Sequence, residues 1–399
     1  GQACYFDRVA RGPREAGEWS VERTSGEILY RPRPGERRGE VEAIVPVLTE
    51  VLIVEGAPGE PVRNLHFRGL AFCHAAWSLP PEGYLGRQAG FRDVRSLGDG
   101  EGDDPYWPAL VRPPAAVRLG HAENCSFVGC DISHVDAAGI DLGAGCRGSH
   151  VEGCRVFDTG STGILEGLNL LPHYLPDRPG PRPGDVTRGN RIVGNEVRGC
   201  GVECPGAVGI WSAGQEVLIA RNHVHDLPYT GISLGWMWDD RPTVCFGNIV
   251  GENRVHAIGK VLPEAAGIYL LGRQKGTVLR GNAVWEVRFN AAAHGNPHWG
   301  LNKGIHLDQG SAEILIEGNV VHSRGEVTVP IHFHRVRDIV VRDNTFASPN
   351  ARTPWRFARC DETDVRLVNN RVVDSEKTPP SGQSTPDPDA PLRTPGGGP

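Results

Sequence analysis

Tyrosine, histidine and aspartate recur at one position of short strands in the second half of this 399-residue chain. The strings Gly267-Ile-Tyr-Leu, Gly304-Ile-His-Leu-Asp308 and Pro330-Ile-His-Phe-His334 each place such a side chain directly after an isoleucine. Because side chains alternate across a strand, the isoleucine faces the interior and the next residue faces outward. Aromatic faces stack on pyranose rings and polar groups bind hydroxyls, so this outer wall suits a carbohydrate.

Two carboxyl groups are needed to hydrolyse a glycosidic bond: one protonates the leaving oxygen, and one attacks the anomeric carbon or activates water. Asp308, between imidazoles, is the first catalytic candidate, and Glu264 is the second. Glu264 lies one repeat earlier, and a bend at Ala265–Gly267 is expected to bring it back towards Asp308. Reserve carboxylates are Asp141, Glu166, Asp239 and Asp240. Strand alternation predicts that Glu166 points inward.

Equivalent residues of successive coils should form columns about 4.8 Å apart. The first outward column reads Asp141, Leu165, Trp211, Ser233, Tyr269, His306 and His332. The second reads Gly143, Gly167, Ala213, Gly235, Leu271, Asp308 and His334. Substrate binding is assigned to Tyr269, His306, His332, His334, Trp211, Trp236, Asp239 and Asp240.

The same histidines allow a metal-binding interpretation. His332 and His334 lie on one side of a strand, and Asp308, His306, His294 and His298 are candidates to complete a transition-metal site. His-x-His on a strand is a weak motif, however, and hydrogen bonds from histidine to substrate or to Asp308 are the favoured interpretation. No metal or other cofactor is predicted.

An internal repeat must position these residues. An apolar alternation ending in Asn-x-Val or a close variant places Asn at positions 195, 222, 253, 282, 319, 344 and 370, at intervals of 25 to 37 residues. Such a period, with Asn at a fixed corner, predicts an all-β right-handed parallel β-helix of about ten coils. Asn tolerates left-handed backbone at a bend, and stacked copies can hydrogen-bond to one another. A glycine before each isoleucine is expected to be the turn residue that enters the second strand.

The repeat also predicts the domain organisation. Residues 1–60 lack it and are expected to form a small β module with a hairpin around Ser25-Gly26. Residues 61–373 form the β-helix, interrupted by long Pro/Gly-rich loops at 77–115 and 168–188. Residues 374–399 are expected to be a disordered tail rich in proline, serine and glycine.

Composition limits the partners. A net charge of −6 gives no basic footprint for nucleic acid, and no stretch is long enough for a membrane span. The ten cysteines contain no CxxC pair; buried free thiols, stacked at positions such as Cys130 and Cys154, are favoured over disulfides. The chain begins without Met or a signal peptide, and an extracellular or periplasmic location follows only from the expected substrate. The oligomeric state is left open.

From roughly Gly17 to Asn350 the chain resembles glycoside hydrolase family 141. The strings that carry the resemblance are Ala16-Gly-Glu-Trp19, Leu29-Tyr-Arg-Pro32, Val62-Arg-Asn-Leu-His-Phe-Arg-Gly-Leu70, Arg221-Asn-His-Val-His-Asp226, Tyr229-Thr-Gly-Ile-Ser-Leu-Gly-Trp236, Gly267-Ile-Tyr269 and Gly304-Ile-His-Leu-Asp308. The resemblance implies a right-handed parallel β-helix with α-L-fucosidase or xylanase activity on plant cell-wall glycans. It also implies an acidic pair on neighbouring coils, here Glu264 and Asp308.

The chain departs from that family at the site. Glu264-Ala-Ala-Gly-Ile-Tyr stands where related sequences usually have Asp-Met-Gly-Gly-Ile-Tyr, and the extra methylene extends the carboxyl by about 1.5 Å. His332-Phe-His334 replaces His-Gln-His, and the segment from Phe289 to Lys303 is longer. A shifted substrate or lost activity would follow from such changes.

Two other function classes remain open. A polysaccharide lyase would need calcium-binding acids and a Lys or Arg base facing a uronate, which a neutral-aromatic, lysine-poor wall disfavours. A non-catalytic sugar-binding module would bind glycans without cleaving them.

Overall fold

The structure, a computed structural model, describes residues 12–22, 24–78, 88–93, 110–174, 180–288, 301–323 and 328–377. Three parallel sheets of ten strands each run the length of the fold, and each coil contributes about one strand to each sheet. This is the right-handed parallel β-helix predicted from the repeat. None of the described helical segments is both long and apolar enough to cross a membrane.

The strands of the three sheets are given in stacking order. Sheet A contains His66–Arg68, Ser126–Val128, His150–Glu152, Arg191–Val193, Leu218–Ala220, Ile249–Gly251, Arg273–Arg280, Ala312–Glu317, Arg337–Arg342 and Val365–Val368. Sheet B contains Ala71–Ala75, Asp131–Val135, Arg155–Thr159, Glu196–Cys200, His223–His225, Arg254–Ile258, Ala283–Val287, Val320–His322, Thr345–Ser348 and Arg371–Asp374. Sheet C contains Leu52–Glu55, Ala115–Gly120, Ala138–Leu142, Ile164–Glu166, Ile210–Ser212, Ile232–Gly235, Ala266–Leu271, Asn302–Leu307, Thr328–His334 and Trp355–Ala358.

Short elements complete the described fold. Val62–Arg63 pairs in parallel with Ala122–Glu123, and Arg92–Asp93 pairs antiparallel with Leu110–Val111. Single 3₁₀ turns occupy Gln88–Gly90, Leu171–His173, Pro349–Ala351 and Glu362–Asp364.

The chain divides into two compact units, Gly1–Pro46 and Val47–Pro399. In the first, Trp19–Val21 pairs antiparallel with Ile28–Tyr30, the hairpin expected from the sequence. In the second, Leu52–Glu55 already pairs with Ala115–Gly120 of sheet C. The β-helix therefore begins before the predicted boundary at residue 61. Much of the predicted loop at 77–115, residues 175–179 of the second loop and residues 378–399 of the predicted tail lie outside the described residues.

An isoleucine column fills the core behind sheet C. Its members pair in register from coil to coil and are fully buried: Ile140, Ile164, Ile210, Ile232, Ile268, Ile305 and Ile331. The preceding glycines lack the positive φ that the turn interpretation required. A Cβ on Gly231 would instead lie 2.6 Å from the carbonyl oxygen of Gly267 on the next coil. Close backbone approach, rather than turn geometry, requires glycine at this position.

An asparagine ladder holds the coils in step. From Asn195 to Asn344, each rung donates its backbone N–H and its Nδ2 to the Oδ1 of the next rung, over 2.8–3.1 Å. The predicted stacking is confirmed, but the left-handed backbone belongs to the residue before each rung, such as Arg221 (φ 57°) and Glu252 (φ 55°). Asn is therefore selected here for its side-chain amide, which satisfies buried backbone groups.

Cysteine continues the same corner towards the N-terminus. The Cys130 N–H lies 3.4 Å from the sulfur of Cys154, whose own N–H donates to Asn195 Oδ1. All nine cysteines within the described ranges are free thiols, as favoured from the sequence. Burial raises the pKa of Cys154 to about 12, so this thiol is protonated and packs as a small apolar side chain.

Replacing an internal rung should be costly. Asn253→Ala removes the acceptor of two Asn222 N–H groups, and we expect the free energy of unfolding to fall by about 2–4 kcal/mol, because buried donors lose their partners. Chemical denaturation measures the change. Asn370→Ala, at the half-buried last rung, is the matched control and should cost less than half as much because water reaches it. Equal effects would show that ladder position is irrelevant to stability.

Candidate functional site

The predicted outward column of sheet C is present in the structure. Tyr269 pairs with His306, His306 pairs with His332, and His332 pairs with Arg356 on the last coil of the sheet. The Tyr269 ring meets His306 edge-on with centroids 5.2 Å apart, and the His306 and His332 rings stack at 4.8 Å. The column thus forms one continuous aromatic and imidazole surface on the outer side of the coils, but its side chains are buried rather than open as expected: Tyr269 is 3%, His306 2% and His332 9% exposed.

Asp308 lies at the centre of this surface. It begins a turn directly after Asn302–Leu307, and its side chain is 17% exposed. Tyr269 donates its hydroxyl to Oδ2 over 2.7 Å from the preceding coil, and His334 Nδ1 lies 2.7 Å from Oδ1 on the following coil. His306 Nε2 is 3.9 Å from Oδ1. Neighbouring coils therefore hold both carboxylate oxygens from opposite sides.

These contacts keep Asp308 ionised. Burial acts to raise its pKa, but the hydrogen bonds from His334 and Tyr269 to the carboxylate act in the opposite direction. The pKa of Asp308 therefore lies well below its usual range. The carboxylate is charged and oriented at neutral pH.

Glu264 lies in an environment that raises its pKa, in contrast to that of Asp308. It is half-buried, and burial raises its pKa; the Asp308 charge raises it further, against the lowering effects of Lys303 and His334. The two carboxyl groups therefore lie within electrostatic range of each other. The predicted bend occurs at Glu264 itself, whose φ is 66°, one residue earlier than Ala265–Gly267.

Lys303 is a member of the site that the sequence interpretation missed. Its side chain is buried at the start of Asn302–Leu307, and burial lowers its pKa while the charges of Glu264 and Asp308 raise it. Arg356 adds a second cation beside His332. The wall is therefore not lysine-poor and neutral, as inferred from the sequence. Lys303 directly precedes the string Gly304-Ile-His306, and this position next to the repeat is the sequence feature that could have identified it as part of the site.

The imidazole rings of His306 and His332 have nitrogens that are not hydrogen-bonded to any described residue. Both ring nitrogens of His306 and of His332 are buried and lack a hydrogen-bond partner among the described residues. Burial, together with Lys303, lowers the pKa of His306 well below its usual range and that of His332 to about 3, so both rings are neutral at pH 7. Buried polar atoms normally have partners, so these nitrogens are candidates for contacts with a ligand.

The predicted tryptophan platform is wrong. Trp211 is 0% and Trp236 1% exposed, because Phe91 packs against both indoles with centroids 5.0 and 5.1 Å away. Neither ring face is open to a sugar, and both tryptophans instead support the wall from beneath the segment 88–93. Trp238, which contacts Trp236 edge-on at 5.7 Å, remains partly exposed. It is the tryptophan of this segment that a ligand can reach.

Asp239 and Asp240 are engaged by arginines. Both carboxylate oxygens of Asp239 share the single Nε–H of Arg241, at 2.8 and 2.9 Å, and Asp240 accepts one hydrogen bond from Arg337 at 3.0 Å. The backbone of Asp239 packs over Gly310, where an added Cβ would lie 2.1 Å from its carbonyl oxygen. Since Gly310 also has a φ of 77°, only glycine fits there, and the Asp308 turn is fixed beneath this segment.

The reserve carboxylates are structural. Glu166 is fully buried, as expected, and accepts hydrogen bonds from Ser212, Asn190 and the Gly214 N–H at 2.7–3.1 Å. Asp141 is paired with Arg112 at 2.6 Å, and burial raises its pKa to about 6. For the metal-binding interpretation of this wall, His294 and His298 lie outside the described residues.

Removing the Tyr269 hydroxyl should weaken the stabilisation of ionised Asp308. The folded-state pKa of Asp308 lies below its unfolded value, so the stability it contributes is present above the unfolded pKa and is lost as pH falls towards the folded pKa. In Tyr269→Phe we expect a higher folded-state pKa and a smaller loss of stability between about pH 5 and 2. Denaturation at a series of pH values measures this slope.

Tyr174→Phe is the matched control for this experiment. It removes another buried hydroxyl, one that accepts a hydrogen bond from the Val244 N–H at 2.9 Å, and should leave the slope as in the wild type. Identical slopes in Tyr269→Phe and the wild type would contradict the assigned role of the hydroxyl.

Comparison with known proteins gives the fold. No protein-family model matches the chain, and no curated protein matches it. A solved structure described as a glycoside hydrolase superposes with a TM-score of 0.70 at 24% identity, covering 90% of this chain and 57% of its own length. The pneumococcal surface adhesin PfbA (TM-score 0.49, 13% identity, 82% and 74% coverage) and a lacto-N-biosidase from Eubacterium ramulus (0.44, 12%, 82% and 61%) are more distant. This chain spans little more than half of the glycoside hydrolase, and the likeness establishes the parallel β-helix.

Proposed function

We propose that the protein is a glycoside hydrolase acting on a plant cell-wall type polysaccharide or oligosaccharide, with Asp308 and Glu264 as its catalytic pair. The observation that carries this proposal is the contrast between the two carboxyl groups, one held ionised and the other favoured in its protonated form. Two acids whose environments push their pKa values apart are suited to opposite roles in acid–base chemistry.

Glu264 is the general acid in this proposal. Its raised pKa keeps a proton available, and the proton passes to the glycosidic oxygen as the bond to the anomeric carbon breaks. Asp308 supplies the negative charge opposite: its carboxylate attacks the anomeric carbon or takes a proton from the water that does so. Tyr269 and His334 orient Asp308 through their hydrogen bonds.

Substrate binding is assigned to groups that remain available around the pair. The unpartnered nitrogens of His306 and His332 can bind sugar hydroxyls, and the partly exposed Trp238 can stack on a pyranose face. In this proposal, Asp239 and Asp240 bind substrate only after they release their arginine partners, Arg241 and Arg337. The fold shared with a glycoside hydrolase supports the reaction class, and the resemblance to family 141 supports a fucoside or xylan substrate.

A polysaccharide lyase is the second candidate function, and Lys303 is the observation that favours it. A buried amine with a lowered pKa can abstract the proton beside a uronate carboxylate, and Arg356 can bind that carboxylate. Such a reaction would leave an unsaturated sugar that absorbs in the ultraviolet. The mutual proximity of Lys303, Glu264 and Asp308 is equally compatible with a lysine that supports the acid pair.

Asp308→Asn should abolish hydrolysis without unfolding the protein. We expect a loss of at least about 10³-fold in kcat on aryl glycosides and plant glycans, because the charge that develops at the anomeric carbon loses its partner. Released sugar is measured across the panel. Asp158→Asn is the matched control, since Asp158 also contacts a histidine, His134, at 2.5 Å, but on sheet B. Retained turnover in Asp308→Asn removes Asp308 from the catalytic role.

Glu264→Gln should reveal the acid through its leaving-group dependence. Substrates with poor leaving groups need the proton and should lose about 10²–10⁴-fold in kcat, whereas activated aryl glycosides should lose far less. The wild type should lose activity on the alkaline side as Glu264 deprotonates, and this limb should vanish in the variant. Equal losses on both substrate types would exclude Glu264 as the acid.

The same panel separates the function classes. A product that absorbs in the ultraviolet, with activity lost in Lys303→Met, would establish the lyase. Glycan binding without cleavage of any substrate would establish a non-catalytic module.

A further inference from the structure

A second cluster of histidines lies on the outer face of sheet B, away from the wall of sheet C. The strand His223–His225 pairs with Arg254–Ile258 in a register that places His225 beside His256. The preceding strand of sheet B places Glu196 beside His223. Three consecutive coils therefore bring three imidazoles and a carboxylate to one place, which we call the sheet B histidine cluster.

The three imidazoles converge closely. His223 Nε2 lies 2.8 Å from His256 Nε2, and one ligand atom from each of the three residues lies within 4.8 Å of the others. Tetrahedral zinc with Zn–N bonds of about 2.1 Å places its ligands about 3.4 Å apart. Small rotations of the rings would bring the three ligand atoms to that spacing. Among the described residues, these histidines form the group of three whose ligand atoms all lie within 4.8 Å of one another.

The surroundings orient the rings as they do in metal sites. His225 directs Nδ1 to Asp226 at 2.7 Å, which leaves Nε2 facing the cluster, 3.4 Å from Glu196 Oε1. Lys260 forms an ion pair with the other oxygen of Asp226. A carboxylate on the remote nitrogen fixes the tautomer of a ligating histidine and increases its basicity. Trp285 stacks on His256 at 4.4 Å and limits the rotation of that ring.

Hydrogen bonding between His223 and His256 accounts for only two of the three rings. The facing Nε2 atoms of His223 and His256 can share one proton over 2.8 Å, but that bond leaves out His225, whose Nε2 lies 3.4 Å from Glu196 Oε1 in the same cluster. A cation that accepts lone pairs from all three rings satisfies the cluster better than one shared proton.

We propose that His223, His225 and His256 bind one divalent transition metal ion, with zinc as the preferred class and Glu196 or water as the fourth ligand. Three neutral imidazoles and one carboxylate or water form a donor set that zinc commonly adopts. The ion would join the two coils that carry the histidines, and a third coil when Glu196 is the fourth ligand, and would stabilise the fold. This site is separate from the proposed catalytic pair and takes no part in its chemistry.

Zinc titration of the full chain tests the proposal. The protein is stripped with a chelator and titrated with Zn²⁺ by calorimetry. We expect one ion per chain and a thermal midpoint that rises with zinc. His223→Gln should weaken binding by at least about 100-fold, and Asp226→Asn by about 10–100-fold through loss of ring orientation. In the Cu²⁺ form, electron paramagnetic resonance should show coupling to imidazole nitrogen in the wild type and less coupling in His223→Gln.

His134→Gln is the matched control. His134 stacks on His74 with centroids 5.3 Å apart on the same face of sheet B and also contacts a carboxylate, but it has only one histidine partner among the described residues. Its substitution should leave zinc affinity unchanged. The metal-free variants are compared by thermal unfolding, so that a folding defect is separated from ligand loss. Absence of zinc binding by the wild type, or equal affinity in the wild type and His223→Gln, would overturn the proposal.

Discussion

The hydrogen-bonded register between coils is the constraint on which both proposed sites depend. Each rung of the asparagine ladder binds the backbone and side chain of its neighbour, so a coil cannot slip without leaving buried amides unsatisfied. A slip of one residue would also turn the isoleucine column outward and bury the polar one. Fixed register is what converts residues some 26 to 39 positions apart in sequence, such as Tyr269, Asp308 and His334, into bonded neighbours.

The two candidate acids differ because they stand at opposite ends of their strands. Asp308 follows its strand, where side chains from the coils before and after reach both of its oxygens. Glu264 precedes its strand at a left-handed residue, in a partly buried position where the neighbouring charge of Asp308 disfavours ionisation. Position relative to a strand, rather than residue type, therefore separates a carboxyl group with a lowered pKa from one with a raised pKa.

The sequence was sufficient wherever the repeat applied. The strings Gly267-Ile-Tyr and Gly304-Ile-His-Leu-Asp308 predicted the register of sheet C, the outward column and the contact between Asp308 and His334. Prediction failed where segments outside the repeat fold over the coils. Phe91 comes from such a segment and buries Trp211, although strand alternation correctly placed that indole outside the coil. Lys303 was missed because alternation alone does not place a lysine beside the acid pair.

The faces of sheets B and C differ in the charged groups that surround their histidines. Sheet B and sheet C both present stacked imidazoles, since the same coil spacing acts on both. On sheet C the imidazoles border two carboxyl groups, Glu264 and Asp308, and two basic side chains, Lys303 and Arg356, and the ring nitrogens of His306 and His332 lack hydrogen-bond partners among the described residues. On sheet B they converge on one another, with carboxylates contacting only His225. One repeat thus supports an acid–base arrangement on one face and a metal-type donor set on another, and the carboxylates around the histidines distinguish the two.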